Sequence, residues 1–326
     1  MATNLLRYRY GSNTVLSTFL LPALPATAEI TGEVIHVDHG QVACPSGVQW
    51  SHHWHDGSEI VLSLAQQGAD YWLRFPYLAD FLLETAAGRI LVATNPVADD
   101  NTLEHLLLDQ VLPRFLAHRS QLLAHASSAT LGSRHALFLG PSGWGKSTLA
   151  GLLQRHGYTV FSDDCVQLCI ANGRCEALPT YPSLRLYSDS LDALVPTPPQ
   201  TGPVASYSEK VRVALALPDT GQIAVPVDAI FLLGDPAEGG DTPRVSLLGP
   251  SQTCQALIAH SFRLDLSDRD GNAAHFARCA AVVNSVPAFK LDYRRDFCQS
   301  SALVGAILKQ LSPVNTLSRS ANTPYD

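Results

Sequence analysis

Short segments of β-forming residues, separated by turn residues, fill the first hundred positions of the chain. Four of these segments are rich in β-branched and aromatic residues and are predicted to be strands: 33–36, 58–64, 70–75 and 89–93. Strict alternation of apolar and polar positions is weak in this region, so the prediction depends mainly on composition. We therefore expect the first part of the chain to be β-rich.

The pattern changes to a helical one after residue 100. Four large apolar residues recur at a spacing of four: Leu103, Leu107, Val111 and Phe115. This spacing predicts an amphipathic helix, with Pro113 as a kink or break. We interpret this helix as the connection between a β-rich N-terminal domain, residues 1–120, and a second domain, residues 121–326.

Strand and helix patterns alternate in the second domain, which predicts an α/β fold with a mixed sheet. The predicted strands are 125–131, 135–139, 158–161, 166–170, 175–178, 227–233 and 288–293, and the predicted helices are 146–155, 251–262, 273–283 and 302–311. Asn172-Gly173 between two strands predicts a tight hairpin. Residues 196–203 are rich in proline and are predicted to form an exposed loop.

Composition excludes several classes of protein. The 326 residues are 46% hydrophobic and 16% charged, which is typical of a folded chain. A net charge of −7 argues against a nucleic-acid partner bound through a broad basic surface. No apolar run reaches the roughly 18 residues of a membrane span, and no signal peptide is evident. We therefore expect a cytoplasmic protein without a membrane partner.

The cysteine and histidine patterns do not predict a metal site. The seven cysteines form no zinc-binding spacing and are expected to be reduced and mostly buried. The run of His52, His53 and His55 is interpreted as an exposed loop or edge with adventitious metal affinity.

One motif carries clear chemistry, the run Gly140, Pro141, Ser142, Gly143, Trp144, Gly145, Lys146, Ser147 and Thr148. It matches the P-loop, or Walker A, pattern in full, with a predicted strand before it and a predicted helix after it. Glycines let backbone N–H groups line an anion site, and the N-terminus of the helix adds its positive dipole end. Lys146 is expected to reach the β- and γ-phosphates of ATP, and the Ser147 hydroxyl to bind Mg²⁺.

A pair of carboxylates follows the next predicted strand, in the run Ser162-Asp163-Asp164. In a sheet that contains the loop, these residues lie beside the phosphates, where one binds Mg²⁺ and the other accepts a proton. A turn or helix cap is the alternative interpretation, because serine and aspartate favour both. Asp235 is a weaker candidate for the metal-binding acid and is interpreted as a turn residue.

Several other residues are candidates without a decisive pattern. His125 is expected to point towards the phosphates or to be a structural histidine. Arg185 is either a phosphate or substrate contact or a solvated strand residue. Five more basic residues can each supply a positive charge, and the sequence does not choose among them: Lys210, Arg212, Arg263, Arg294 and Arg295.

The residues around the loop resemble those of a known family. His125-Ala-Ser, the loop 140–148 and the run Phe161-Ser-Asp-Asp-Cys-Val-Gln-Leu168 are similar to the catalytic core of HPr kinase/phosphorylase. The more similar relatives are HPr-kinase-related proteins that include kinases of lasso precursor peptides. The resemblance implies that the loop holds the triphosphate, that Asp163 and Asp164 serve metal binding and proton transfer, and that His125 lies near the phosphates. Because HPr kinases are hexamers, it leaves a homo-oligomer open.

Two departures from the family argue against HPr itself as the substrate. Ser147-Thr-Leu-Ala150 follows the loop lysine, and the downstream glycine-rich signature is reduced to Ser183-Leu-Arg-Leu186. The sequence therefore predicts an ATP- and Mg²⁺-dependent kinase that acts on a serine of a protein or peptide. Two alternatives stay open: a kinase of a small hydroxyl metabolite, and an ATP-gated binding module without a phosphoryl acceptor.

Overall fold

The computed structural model describes residues 5–43, 47–195, 201–215 and 224–312 of the chain. Over these residues the chain forms four β-sheets and seven α-helices. This is the mixed α/β architecture that the sequence predicts.

The first sheet contains eight strands. They are β1 (Leu6–Tyr10), β2 (Asn13–Ser17), β3 (Val34–His39), β4 (Trp50–Asp56), β5 (Glu59–Gln67), β6 (Asp70–Phe75), β7 (Ala79–Glu84) and β8 (Arg89–Thr94). Their spatial order is β1-β2-β3-β8-β7-β6-β5-β4. Strand β3 pairs in parallel with β2 and β8, and the other neighbours are antiparallel. The four strands predicted in this region are confirmed as β3, β5, β6 and β8.

One face of this sheet is apolar because alternate residues of its strands are apolar. Phe81 and Leu83 of β7, and Ile90 and Val92 of β8, are all buried. They share a core cluster with Phe115 of the helical segment that follows. The predicted helix therefore packs on the β-rich part of the chain.

That helical segment is continuous but irregular. It consists of α1 (Asp100–Leu106), a π-helical turn (Leu107–Val111) and α2 (Leu112–His118). Asp99 begins it by accepting the Thr102 N–H. Proline at position 113 has no N–H to donate to the preceding turn, and the Leu108 carbonyl instead accepts the Tyr10 hydroxyl at 2.8 Å. The predicted helix and the irregularity at Pro113 are both confirmed.

Three smaller sheets follow. Their strands are β9 (Leu122–Ala124), β10 (Ala126–Leu131), β11 (Arg134–Leu139), β12 (Thr159–Ser162), β13 (Val166–Ala171), β14 (Arg174–Pro179), β15 (Ser183–Leu186), β16 (Thr201–Pro203), β17 (Val211–Ala214), β18 (Val225–Pro226), β19 (Ala229–Leu233), β20 (Arg244–Leu247) and β21 (Ala288–Asp292). The strand orders are β12-β10-β11-β19-β21-β20, β18-β14-β13-β9 and β15-β17-β16. In the six-stranded sheet, β19 runs parallel to β11 and β21, and the other pairs are antiparallel. It is therefore a mixed sheet.

Five more α-helices accompany these sheets: α3 (Lys146–Arg155), α4 (Ser188–Leu194), α5 (Pro250–Ala259), α6 (Arg269–Ser285) and α7 (Ser300–Leu311). A 3₁₀ turn covers Pro236–Glu238. The helices predicted in this half of the chain correspond to α3, α5, α6 and α7. In the described ranges, no helix is both long and apolar enough to cross a bilayer.

The predicted hairpin joins β13 to β14. Asn172 and Gly173 have φ angles of +51° and +74°, the left-handed conformation that a two-residue hairpin turn requires at both positions. The predicted loop 196–203 is only partly described, because residues 196–200 lie outside the described ranges. Its last three residues form β16, which pairs with β17.

The histidine run lies in β4, at one edge of the eight-stranded sheet. The His52 ring packs edge-on against Trp54, and His53 Nδ1 lies 2.8 Å from Ser63 Oγ. Among the residues that the structure describes, no three His, Cys, Asp or Glu side chains cluster as a metal site would need. Pairing within the sheet thus accounts for the run.

The largest apolar core joins the two predicted domains. It contains residues of the first sheet together with Leu123, Cys165, Tyr181 and Leu264, which all follow residue 120. The division at residue 120 stays a prediction, and its two sides share this core.

We expect His135 to make the protein sensitive to mild acid. Its side chain is buried at the start of β11 against Phe161, and burial lowers its pKa to about 4. An unfolded histidine has a pKa of about 6.5. Between these two values the unfolded chain binds a proton that the folded chain does not bind, so stability falls as the pH falls.

The substitution His135→Leu should reduce the slope of the unfolding free energy against pH. The reduction should correspond to up to about one proton per molecule. Urea unfolding of both proteins across that pH window measures the effect. Equal slopes for the two proteins would contradict the buried, neutral state of His135.

Candidate functional site

A glycine-rich loop connects β11 to α3. Gly143 and Gly145 have φ angles of +80° and +90°, which residues with a side chain rarely adopt. A Cβ atom at position 145 would also lie 3.3 Å from Arg295 Nε. The helix after the loop begins at Lys146 and ends at Arg155, as predicted.

The loop and the first turn of α3 contain all nine residues predicted to hold phosphates: Gly140, Pro141, Ser142, Gly143, Trp144, Gly145, Lys146, Ser147 and Thr148. The residue before α3 is a glycine, so no side chain caps the helix. The first N–H groups of a helix have no partner inside it, and they favour anions. The geometry of this segment suits a phosphate group.

Lys146 lies under the loop. Its Nζ atom donates to the carbonyls of Gly140 at 2.7 Å and Pro141 at 3.1 Å, and the residue is only 4% exposed. Burial lowers the pKa of Lys146, while the nearby Asp164 and Asp163 carboxylates oppose this change. The ammonium group therefore lies within electrostatic range of both carboxylates.

Asp163 is fully buried at the end of β12. Its Oδ2 atom accepts the backbone N–H of Arg185 at 3.2 Å. Its Oδ1 atom is buried and has no hydrogen-bond partner among the described residues. Burial and the adjacent charge of Asp164 raise the pKa of Asp163 to about 7. A buried carboxylate oxygen without a hydrogen-bond partner destabilises the folded protein unless a ligand binds to it.

Asp164 has a φ angle of +68°, a conformation that aspartate tolerates better than most residues. Its Oδ1 atom lies 3.3 Å from His125 Nε2, and its Oδ2 atom lies 3.1 Å from Arg185 Nη1. Burial raises the pKa of Asp164, but the Arg185 guanidinium and His125 outweigh burial and hold the pKa well below its ordinary value. Asp164 therefore stays ionised.

The run 162–164 also forms a turn, which was the alternative to a catalytic role in the sequence analysis. The Ser162 hydroxyl donates to the Cys165 carbonyl at 2.7 Å. The turn brings both carboxylates to the end of β12, and β12 pairs with β10 in the sheet that carries the loop. The turn is thus compatible with the predicted position of the pair beside the phosphates.

Arg185 lies in β15 and is 3% exposed, which excludes a solvated strand residue. Besides Asp164, its guanidinium contacts Asp109 of the π-helical turn, with 2.5 Å between Nη2 and Oδ2. It also donates to the Tyr181 hydroxyl, and it lies 3.3 Å from His105 Nδ1. This guanidinium connects the carboxylate pair to the N-terminal helical segment.

Asp109, His105 and Tyr181 are site residues that the sequence analysis missed. Asp109 and Tyr181 are buried, and the Tyr181 hydroxyl donates to Asp109 Oδ1. The available signal was an aspartate directly after three leucines, in the run Leu106-Leu-Leu-Asp-Gln-Val111. A buried charge requires a partner, but the sequence did not identify that partner.

The structure separates the five other basic candidates. Lys210 lies close enough to Asp163 and Asp164 to lower their pKa values. Three of the five contact polar side chains away from the carboxylate pair: Arg212 pairs with Glu104, Arg263 contacts Asn272, and Arg294 pairs with Asp241 and Asp296. Asp235 begins the 3₁₀ turn and accepts the Ala237 N–H at 2.8 Å, as its interpretation as a turn residue requires.

Arg295 contacts the loop and also lines the cavity beside it. Its Nε atom donates to the Trp144 carbonyl at 2.9 Å, and its Nη2 atom donates to the Gly234 carbonyl at 2.8 Å. Its guanidinium also lies over the Tyr293 ring, 3.7 Å from the centroid. Arg295 thereby connects the loop to the segments that follow β19 and β21.

A cavity of about 210 Å³ lies against the loop and the first turns of α3. Its lining includes Thr148, Leu149, Leu152, Asp189, Phe297 and Leu303. Neither carboxylate of the 163–164 pair lines it, and neither does Lys146. The cavity and the carboxylates therefore flank the loop at different places.

Comparisons with known proteins give no family assignment. No family model matches the chain, and no curated protein matches it. Among solved structures, the HPr(Ser) kinase/phosphatase from Coxiella burnetii aligns with 58% of this chain and 88% of its own chain, at 11% identity and a TM-score of 0.31. A likeness at this level supports no conclusion about function. The resemblance to the HPr kinase family stays a prediction based on its motifs.

Proposed function

We propose that this protein is an ATP- and Mg²⁺-dependent kinase that transfers the γ-phosphoryl group to a serine hydroxyl of a protein or peptide. The observation that carries the proposal is the carboxylate pair, buried Asp163 and largely buried Asp164, at the end of a strand in the sheet that carries the glycine-rich loop. Buried like charges are costly, and such sites are typically functional. The loop supplies the phosphate cradle, and the pair supplies the acidic groups for transfer.

A magnesium ion fits the donor atoms beside the loop. Asp163 Oδ1 is buried and unpaired, and the nearby Ser147 hydroxyl lowers the pKa of Asp163 against the effects of burial and Asp164. Mg²⁺ prefers oxygen ligands and keeps water and phosphate oxygens in its other positions. Asp163 and Ser147 would hold the ion, which would neutralise charge on the β- and γ-phosphates.

Asp164 and His125 form the more accessible side of the pair. Their side chains are 15% and 33% exposed, so an acceptor hydroxyl can approach them. In the proposed step the serine oxygen bonds to the γ-phosphorus, the bond to the β-phosphate oxygen breaks, and the hydroxyl proton moves to Asp164. A weakly basic carboxylate suffices, because the transition state of phosphoryl transfer is loose and catalysis depends mainly on positioning.

The cavity beside the loop gives the nucleotide its orientation. Its volume is below the roughly 300–1,000 Å³ of a site for a whole drug-sized ligand, so it suits one part of a larger molecule. Leu149, Leu152 and Phe297 provide apolar surface for a base, and Asp189 provides a carboxylate for ribose hydroxyls. The nucleoside would occupy this cavity, with the γ-phosphate directed towards Asp164.

The substitution Asp163→Asn should abolish ATP hydrolysis, because it removes the charge that holds Mg²⁺. Asp164→Asn should also lower the rate by about 100-fold or more, while nucleotide affinity stays within about twofold, because Asp164 does not line the nucleotide cavity. Phosphate release and equilibrium binding of ATP measure the two effects. Near-normal turnover in both variants would contradict the proposed roles of the pair.

Phe297→Ala should weaken ATP binding by about five- to tenfold and leave inorganic tripolyphosphate binding unchanged, because only ATP has a base to pack against the ring. Phe276→Ala, which removes an exposed phenylalanine on α6, is the matched control. Lys146→Ala should weaken the binding of both ATP and tripolyphosphate. Equal losses of ATP and tripolyphosphate affinity in Phe297→Ala would contradict the proposed orientation.

A further inference from the structure

Arg185 joins two carboxylates from distant parts of the chain. Its Nη1 atom lies 3.1 Å from Asp164 Oδ2, and its Nη2 atom lies 2.5 Å from Asp109 Oδ2. All three side chains are largely buried, so water screens these contacts little. The planar guanidinium fixes the angle between its two partners. The position of one carboxylate therefore constrains the other.

Both carboxylate oxygens of Asp109 have partners. Its Oδ1 atom accepts the Tyr181 hydroxyl, and its Oδ2 atom lies 2.5 Å from His105 Nδ1. Burial raises the pKa of Asp109, but Arg185 and His105 outweigh it and lower the pKa to about 2. Asp109 is thus a fixed, permanent negative charge beside Arg185.

The backbone around Asp109 is also fixed. Asp109 lies in the π-helical turn, and the Tyr10 hydroxyl holds the preceding carbonyl, that of Leu108. One turn earlier, Glu104 pairs with Arg212 and anchors the same helical segment away from the carboxylate pair. Single π-helical turns inside α-helices are frequent at functional sites.

From this geometry we infer that Asp109 is a positioning residue for phosphoryl transfer, acting through Arg185 on Asp164. Asp109 holds Nη2 of the guanidinium, so that only Nη1 reaches Asp164 Oδ2. This leaves Asp164 Oδ1 directed at His125, on the side where the acceptor approaches. The N-terminal helical segment therefore completes the site. This inference rests on the proposed function.

Without the Asp109 charge, Asp164 is the remaining carboxylate in contact with the Arg185 guanidinium. Both Nη1 and Nη2 can then bind Asp164. The carboxylate would then turn away from His125. ATP binding would not change, because neither Asp109 nor Arg185 lines the nucleotide cavity. The expected signature is a loss of turnover without a loss of nucleotide affinity.

The test is Mg²⁺-dependent transfer of label from γ-labelled ATP to protein or peptide in a size-fractionated lysate of the host by the full-length chain, together with the dissociation constant for ATP. For Asp109→Asn we expect turnover to fall by about 10- to 100-fold and the dissociation constant to change by less than about twofold. Glu104→Gln is the matched control, since it breaks an equally buried ion pair of the same helical segment. It should lower the melting temperature to a similar extent and leave turnover near that of the unmodified protein.

Tyr181→Phe gives a second, less disruptive test, because it removes one hydroxyl and keeps the ring. It should lower turnover by a smaller factor, again with unchanged ATP affinity. Normal turnover in a folded Asp109→Asn variant, or an equal loss in Glu104→Gln, would overturn the inference. If Asp109→Asn does not fold, normal turnover in Tyr181→Phe overturns it. An unmodified protein that binds ATP but labels no protein or peptide in that lysate would instead contradict the proposed function.

Discussion

The buried guanidinium of Arg185 is the interaction on which the candidate site depends. A charge removed from water requires partners of opposite sign, and the loss of one partner is strongly destabilising. Asp164 comes from the turn after β12, and Asp109 comes from the helical segment that packs on the eight-stranded sheet. Their shared contact with Arg185 fixes the distance between these two parts of the chain.

The loop obeys a second constraint, which concerns the backbone. Positive φ angles at Gly143 and Gly145 direct the chain around the space where α3 begins. Lys146 and Arg295 hold the loop by donating to its backbone carbonyls. A preformed cradle of this kind loses little entropy when an anion binds. The phosphate site that we propose depends on this loop and on the carboxylate pair.

Local patterns predicted a large part of this arrangement. Turn chemistry and periodicity are properties of residues close together in sequence. They predict the bounds of α3, the hairpin at Asn172-Gly173 and the irregular helix near Pro113. The pairing of β3 with both β2 and β8, and the contact between Asp109 and Arg185, depend on residues far apart in sequence. A single sequence contains no local signal for such pairings. For this reason Asp163, Asp164, His125 and Arg185 were predicted as candidates, whereas Asp109, His105 and Tyr181 were not.

The reaction that we propose is transfer of the γ-phosphoryl group of ATP to a serine. The most direct test incubates the protein with γ-labelled ATP, Mg²⁺ and a size-fractionated lysate of its own host, beside the Asp163→Asn/Asp164→Asn double variant. We expect label on a serine of a protein or peptide with the unmodified protein alone. Label confined to small molecules, or tight ATP binding without any labelled acceptor, would contradict it.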